Sequence, residues 1–138
     1  RAGAMSMLPT STGATEALGL VLPEMQGKIR GSAIRVPTPN VSAVDLTVNV
    51  EREVDESMVN SIVWDASQQE MNGIIKYSQE RLVSVDFNTT VQSCIFASEQ
   101  TRIVDKTCIR VLAWYDNEWS FSCRLVDTSH HLKNIGEN

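Results

Sequence analysis

The sequence predicts an α+β fold: a mixed, mainly antiparallel sheet covered by about three helices on one face. Three observations carry that prediction. Helical and two-residue periodicities occupy separate stretches of the chain. The clearest strand alternates apolar with polar residues, as in a sheet solvated on one side. No strand–Gly-x-Gly-x-x-Gly–helix unit is present, so a doubly wound dinucleotide-binding sheet is not encoded here.

Taken in order, Pro9-Thr10-Ser11-Thr12-Gly13 reads as a helix start. Ala14, Ala17, Leu18, Val21 and Leu22 then recur at helical spacing until Pro23 and Gly27 end or bend the helix. Ser32 to Thr38 reads as a strand, and Pro37-Thr38-Pro39-Asn40 as a turn. Val44, Leu46, Val48 and Val50 alternate with Asp45, Thr47, Asn49 and Glu51 in a second strand.

Asp55 and Glu56 open a second helix, with Met58, Val59, Ile62, Val63 and Ala66 as its expected buried stripe. Four β-type runs follow: Val83–Phe87, Ser93–Ala97, Thr101–Val104 and Cys108–Tyr115. Asp116 or Asn117 then caps a last helix carrying Phe121, Leu125 and Val126.

The 138 residues suffice for one domain with a core. A net charge of −5 with scattered Lys and Arg argues against nucleic acid. No apolar stretch approaches the ~18 residues of a membrane span, and no signal peptide is visible. The start at Arg1 rather than Met is what an excised domain would show. Cys94, Cys108 and Cys123 are odd in number and form no C-x-x-C pair, so reduced buried thiols in a cytosolic protein are expected. Asn40-Val41-Ser42 and Asn88-Thr89-Thr90 match glycosylation acceptors only formally.

Three constellations could carry chemistry. Thr10-Ser11-Thr12-Gly13 offers three hydroxyls and a glycine at a helix N-terminus, where unpaired N–H groups attract anions. An ordinary N-cap is the competing reading. Arg35 lies inside Ala33-Ile34-Arg35-Val36-Pro37, as a fork for a phosphate or carboxylate or as an outward strand residue. Trp114-Tyr115-Asp116-Asn117-Glu118-Trp119-Ser120-Phe121 holds four of the eight aromatic residues. It reads as a packed strand–helix junction or as one facing a flat ligand. The Asn117 amide both donates and accepts, which suits another carboxamide. His130 and His131 are adjacent and do not share a helix face, so they do not suggest a metal site.

At these same segments the chain resembles the glyceraldehyde-3-phosphate dehydrogenase family. The resemblance runs from Arg1-Ala2-Gly3-Ala4 through Pro9-Thr10-Ser11-Thr12-Gly13-Ala14, then Ile34-Arg35-Val36-Pro37-Thr38-Pro39-Asn40-Val41-Ser42 and Val44-Asp45-Leu46-Thr47-Val48. It continues through Leu82-Val83-Ser84-Val85-Asp86-Phe87-Asn88 and Trp114-Tyr115-Asp116-Asn117-Glu118-Trp119. It implies a two-domain, cytoplasmic, homotetrameric glycolytic enzyme, with residues 1–138 as the C-terminal catalytic, substrate-binding domain and the NAD-binding domain absent.

The resemblance further implies that Thr12 and Gly13 bind inorganic phosphate, that Arg35 binds the phosphate of a phosphorylated aldehyde, and that Asn117 contacts the nicotinamide of NAD. Arg1 falls near a further phosphate-binding arginine. The family's nucleophilic Cys, in Ser-Cys-Thr-Thr-Asn, and its His are missing. No catalytic residue or metal ligand is therefore assigned, and the isolated chain is expected to be inactive. An erythrose-4-phosphate dehydrogenase domain and a non-catalytic assembly module are the alternatives. Ser120 and Cys123 depart from the family's usual Gly and Asn, which puts local packing in question.

Overall fold

The computed structural model describes residues 2–136, and these divide into two compact units, one up to Pro39 and one from Asn40 onward. In the first unit, β1 (Leu8–Thr10) pairs antiparallel with β2 (Ala33–Arg35), setting Leu8 opposite Arg35 and Thr10 opposite Ala33. Between them runs α1 (Ala14–Val21). It ends where Pro23 starts a 3-10 turn, because proline cannot donate the next helical hydrogen bond. Gly27 follows at φ +75°, a backbone region costly for any residue with a Cβ. Gly31 is small for a different reason: a Cβ there would sit 3.0 Å from the Thr15 methyl carbon in the first turn of α1.

The strand expected over Ser32–Thr38 is only three residues long. Its partner β1 is equally short, and Pro37 and Pro39 have no N–H to extend a ladder. Of the expected α1 stripe, Leu18 is half-buried while Ala14, Ala17, Val21 and Leu22 are exposed.

The second unit is built on a five-stranded sheet, ordered β3–β7–β5–β4, with β6 also on β7. Its strands are β3 (Ser42–Asn49), β4 (Ile75–Ser78), β5 (Cys94–Ala97), β6 (Arg102–Val104) and β7 (Cys108–Tyr115). β3 pairs with β7 along its whole length, from Ser42 opposite Tyr115 to Asn49 opposite Cys108. All pairings are antiparallel except β4 with β5. This is the mixed, mainly antiparallel sheet and the α+β class that the sequence predicted. On one face Arg110 binds Asp45 through two bonds of 2.8 Å, and these hold the Asp45 carboxyl below its ordinary range. The pair is largely exposed, so its worth is under about 1 kcal/mol.

Two short segments differ from expectation. Val83–Phe87 is a 3-10 turn rather than a strand. The Asp86 carboxylate accepts a 2.8 Å hydrogen bond from the Val83 N–H, closing a local ring that competes with sheet pairing. β4 was not singled out, because Ile-Lys-Tyr-Ser is too short to show a period; pairing with β5 makes it a strand.

The turn drives Phe87 into the core beside Val41 and Ile95, with Leu82 and Trp114 packed against them. Phe87 and Trp114 stack with ring centroids 5.7 Å apart. On the far edge Trp64 meets Tyr77 edge-on at 5.3 Å, and Tyr77 leans on Phe96.

Among the described residues there are three α-helices. α1 belongs to the first unit and connects that unit's own two strands. α2 (Glu56–Gln68) starts at Asp55, whose carboxylate accepts from the Met58 N–H at 2.8 Å. It meets the sheet through Trp64 on Tyr77. Its inward face is rotated from the expected stripe: Val59, Val63 and Ala66 turn in, but Met58 is 48% and Ile62 63% exposed. Asn60 sets the rotation by donating to the Ser98 carbonyl and accepting from the Thr101 hydroxyl at 2.7 Å. α3 (Trp119–Gly136) exposes Phe121, Leu125 and Val126.

Ile95, with no exposed surface, and Ile62 separate these faces by experiment. Ile95→Ala is expected to cost about 3 kcal/mol in urea unfolding, and Ile62→Ala no more than about 0.5 kcal/mol. Equal losses would contradict the observed rotation of α2.

Candidate functional site

In the first unit the helix start is a small polar corner. The Thr12 hydroxyl oxygen accepts a 3.2 Å hydrogen bond from the Ala14 N–H, so it caps the first turn of α1. Gly13 stands at the N-cap with ordinary right-handed backbone angles. A Cβ there would meet nothing within 4 Å, so neither packing nor strain calls for glycine. Its lack of a side chain leaves the helix start sterically open to an anion, although the Ala14 N–H is itself taken by the Thr12 hydroxyl.

Arg35 ends β2 and is exposed. The apolar run around it was expected to be core, but Ile34 and Val36 are exposed as well, so burial does not force a partner on the guanidinium. Among the described residues the Arg35 side chain makes no hydrogen bond or ion pair. It lines a cleft of about 410 Å³ with Gly3, Ser6, Met7, Leu8 and Val36. Thr12 and Gly13 share its unit but do not line that cleft. Arg1 lies outside the described residues.

Asn117 belongs to the second unit, at the junction of β7 with α3. Its side chain is exposed, and the Ser42 hydroxyl holds it on one edge, within reach of Oδ1 at 3.0 Å, to which it can donate, and of Nδ2 at 2.9 Å, from which it can accept instead. The register explains the meeting: Ser42 pairs with Tyr115, two residues before Asn117.

The residue that builds this junction is Asp116, 2% exposed. Its Oδ1 accepts from the N–H groups of Glu118 at 3.0 Å and Trp119 at 2.8 Å, capping α3. Its Oδ2 accepts from Asn40 Nδ2 and from the Thr89 N–H, both at 2.9 Å. Burial pushes the Asp116 carboxyl up, but these four donors outweigh it and hold the group below its ordinary value. Of the two caps the sequence allowed, Asp116 performs the task, which leaves Asn117 free to face outward.

Sequence reasoning passed over Asn40, Ser42 and Thr89. The signals there were a turn at Asn40, a formal glycosylation pattern at Asn40 and Asn88-Thr89, and family-like stretches that include Asn40, Ser42 and Asn88, none of which gave these side chains a role; the Asn40 amide is in fact committed to Asp116.

The aromatic cluster is in part a packed junction, through Trp114 on Phe87, while Trp119 and Phe121 are exposed. Ser120 fits without glycine's freedom: it is helical and buried, and its hydroxyl donates to the Asp116 carbonyl at 2.8 Å. The three cysteines are free and half-buried rather than fully buried, and burial raises the Cys94 thiol above its ordinary value, away from an activated nucleophile. His130 and His131 are exposed. Among the described residues no cluster of His, Cys, Asp and Glu could hold a metal ion, and no helix is long and apolar enough to cross a membrane.

Comparison with known proteins gives a consistent result. Residues 1–117 match the family described as glyceraldehyde 3-phosphate dehydrogenase, C-terminal domain. The chain is 47% identical to a glyceraldehyde-3-phosphate dehydrogenase of Xanthobacter flavus over 136 residues, covering 99% of this chain and 41% of that protein. It is 46% identical to glyceraldehyde-3-phosphate dehydrogenase 2 of Bacillus subtilis (strain 168), covering 96% and 39%. Against a glyceraldehyde-3-phosphate dehydrogenase of Geobacillus stearothermophilus it is 45% identical, covering 99% and 41%. The chain thus spans about two-fifths of the length of these relatives.

The Asp116 network makes a pH-dependent prediction. A carboxyl held below its ordinary 3.8 stabilises the fold fully above that value, and the contribution is lost as pH falls through the folded pKa. Asp116→Asn should therefore lower stability at neutral pH, by about 2 kcal/mol. The gap to wild type should shrink on acidification to about pH 3. Urea midpoints at the two pH values measure it, and a gap that stays constant would show that the charge is not the source of the stabilisation.

Proposed function

The chain belongs to the glyceraldehyde-3-phosphate dehydrogenase family through its C-terminal domain, and from that premise we propose that residues 1–138 are the substrate-binding portion of a phosphorylating, NAD-dependent glycolytic enzyme. The observation that supports this reading best is Arg35, a guanidinium without a protein partner among the described residues, set on the rim of a cleft beside Ser6. A planar fork of donors left free in this way suits a phosphate.

Each residue has a separate task. Arg35 holds the phosphate of the aldehyde substrate. The open helix start at Gly13, with the Thr12 hydroxyl beside it, receives the inorganic phosphate that attacks later in the reaction. Asn117 meets the carboxamide of the nicotinamide through the part of its amide that Ser42 leaves free. NAD, when bound to the parent enzyme, accepts the hydride. The nucleophile and most cofactor contacts come from the rest of the parent, so this portion positions two anions and one ring. A cytoplasmic homotetramer is part of the same reading.

Three measurements test it. In the full-length parent, Arg35→Ala should raise KM for the aldehyde phosphate roughly tenfold or more, as expected for losing a charge-assisted hydrogen bond. Thr12→Ala should raise KM for inorganic phosphate more than KM for the aldehyde. The purified 138-residue chain should give no NAD-dependent turnover. Turnover by that chain, or an Arg35 variant with unchanged kinetics, would refute the assignment.

A further inference from the structure

The hydrogen bonds around Asn117 extend this reading to a residue with no assigned role. An asparagine amide has two N–H donors and two carbonyl lone pairs, divided between an inner edge and the outer sides. The Ser42 hydroxyl sits 3.0 Å from Oδ1 and 2.9 Å from Nδ2, so it caps the inner edge with one hydrogen bond at a time, donating to Oδ1 or accepting from Nδ2. One N–H and one lone pair remain, both on the outer sides of an exposed side chain.

Ser42 is itself well fixed. It starts the β3 ladder opposite Tyr115, and it follows Asn40 and Val41, which are held by the Asp116 carboxylate and by the core. On the other side, Asn117 lies between Asp116 and Glu118, whose N–H is bonded to that carboxylate. Both partners thus hang from one junction, and the freedom left to Asn117 is rotation about its side-chain torsions, which the Ser42 hydroxyl restrains.

We propose that Ser42 is a positioning residue for the nicotinamide carboxamide: by occupying the inner edge of the Asn117 amide it fixes the amide plane and reserves one outer N–H and one outer lone pair for the cofactor. The proposal rests on the assignment of Asn117 to the nicotinamide. Because a hydroxyl serves oxygen and nitrogen alike, Ser42 fixes the plane and not which end faces out.

The test uses the full-length parent with Ser42→Ala, Ser42→Thr, Asn117→Ala and the double variant. Ser42→Ala should raise both the equilibrium Kd for NAD, read by calorimetric titration without substrate, and KM for NAD about fivefold, the worth of one side-chain hydrogen bond, with kcat and KM for the aldehyde little changed. Ser42→Thr, which keeps the hydroxyl, should restore KM. Adding Ser42→Ala to Asn117→Ala should have no further effect on KM, because the amide it positions is gone. An unchanged KM in Ser42→Ala, with a raised KM in Asn117→Ala, overturns the role of Ser42 and leaves that of Asn117 standing. An unchanged KM in Asn117→Ala overturns the underlying assignment. Equal effects of Ser42→Ala with and without Asn117 would mark Ser42 as structural only and also sink the proposal.

Discussion

The buried carboxylate of Asp116 is the constraint on which the second unit depends. It takes hydrogen bonds from three segments distant in sequence: the Asn40 side chain before β3, the Thr89 backbone after the Phe87 turn, and the first N–H groups around α3. A charge this deep is costly unless its oxygens are fully used, and here each oxygen has two donors. The same four bonds that make the charge tolerable fix where β3 begins, where the crossover between β4 and β5 turns, and where β7 hands over to α3.

Local strain accumulates around that hub. Val41 has φ +69° and Thr89 φ +60°, and both are β-branched residues in a left-handed region that such side chains rarely adopt. Each costs on the order of 1–3 kcal/mol. The compensation is visible at both positions. Val41 is 7% exposed and packs with Phe87 and Ile95, while the Thr89 N–H is aimed at the carboxylate. Burial and a charged acceptor thus hold two backbone conformations that the residues themselves disfavour, and the strained conformation at Val41 lies between Asn40 and Ser42.

The first unit follows a different logic. Its ladder is three residues long and its apolar residues are mostly exposed, so short-range features organise it: a hydroxyl on the first turn of α1, a proline stop, and a glycine against Thr15. Such a unit leaves polar groups free. Among the described residues the Arg35 guanidinium has no partner, and the helix start at Gly13 is open beyond the Ala14 N–H that Thr12 takes; free donors are what anions need.

Much of this was legible in the residues. The alternation of β3, the β-type run of β7, the start of α2 at Asp55 and the proline after α1 follow from local pattern and capping, which neighbours in sequence decide. The family, and with it the interest of Thr12, Gly13, Arg35 and Asn117, was likewise readable from short motifs. What stayed hidden depends on partners far along the chain. Asn60, bonded to Ser98 and Thr101, rotates α2 away from its apolar stripe; β5 turns Ile75–Ser78 into a strand; the Asp86 side chain converts Val83–Phe87 into a turn. Sequence alone determined that Asp116 or Asn117 would cap a helix. Only the tertiary structure decided that Asp116 caps it and Asn117 faces Ser42, because Asn40 and Thr89 must be brought to the carboxylate before the two neighbours become different.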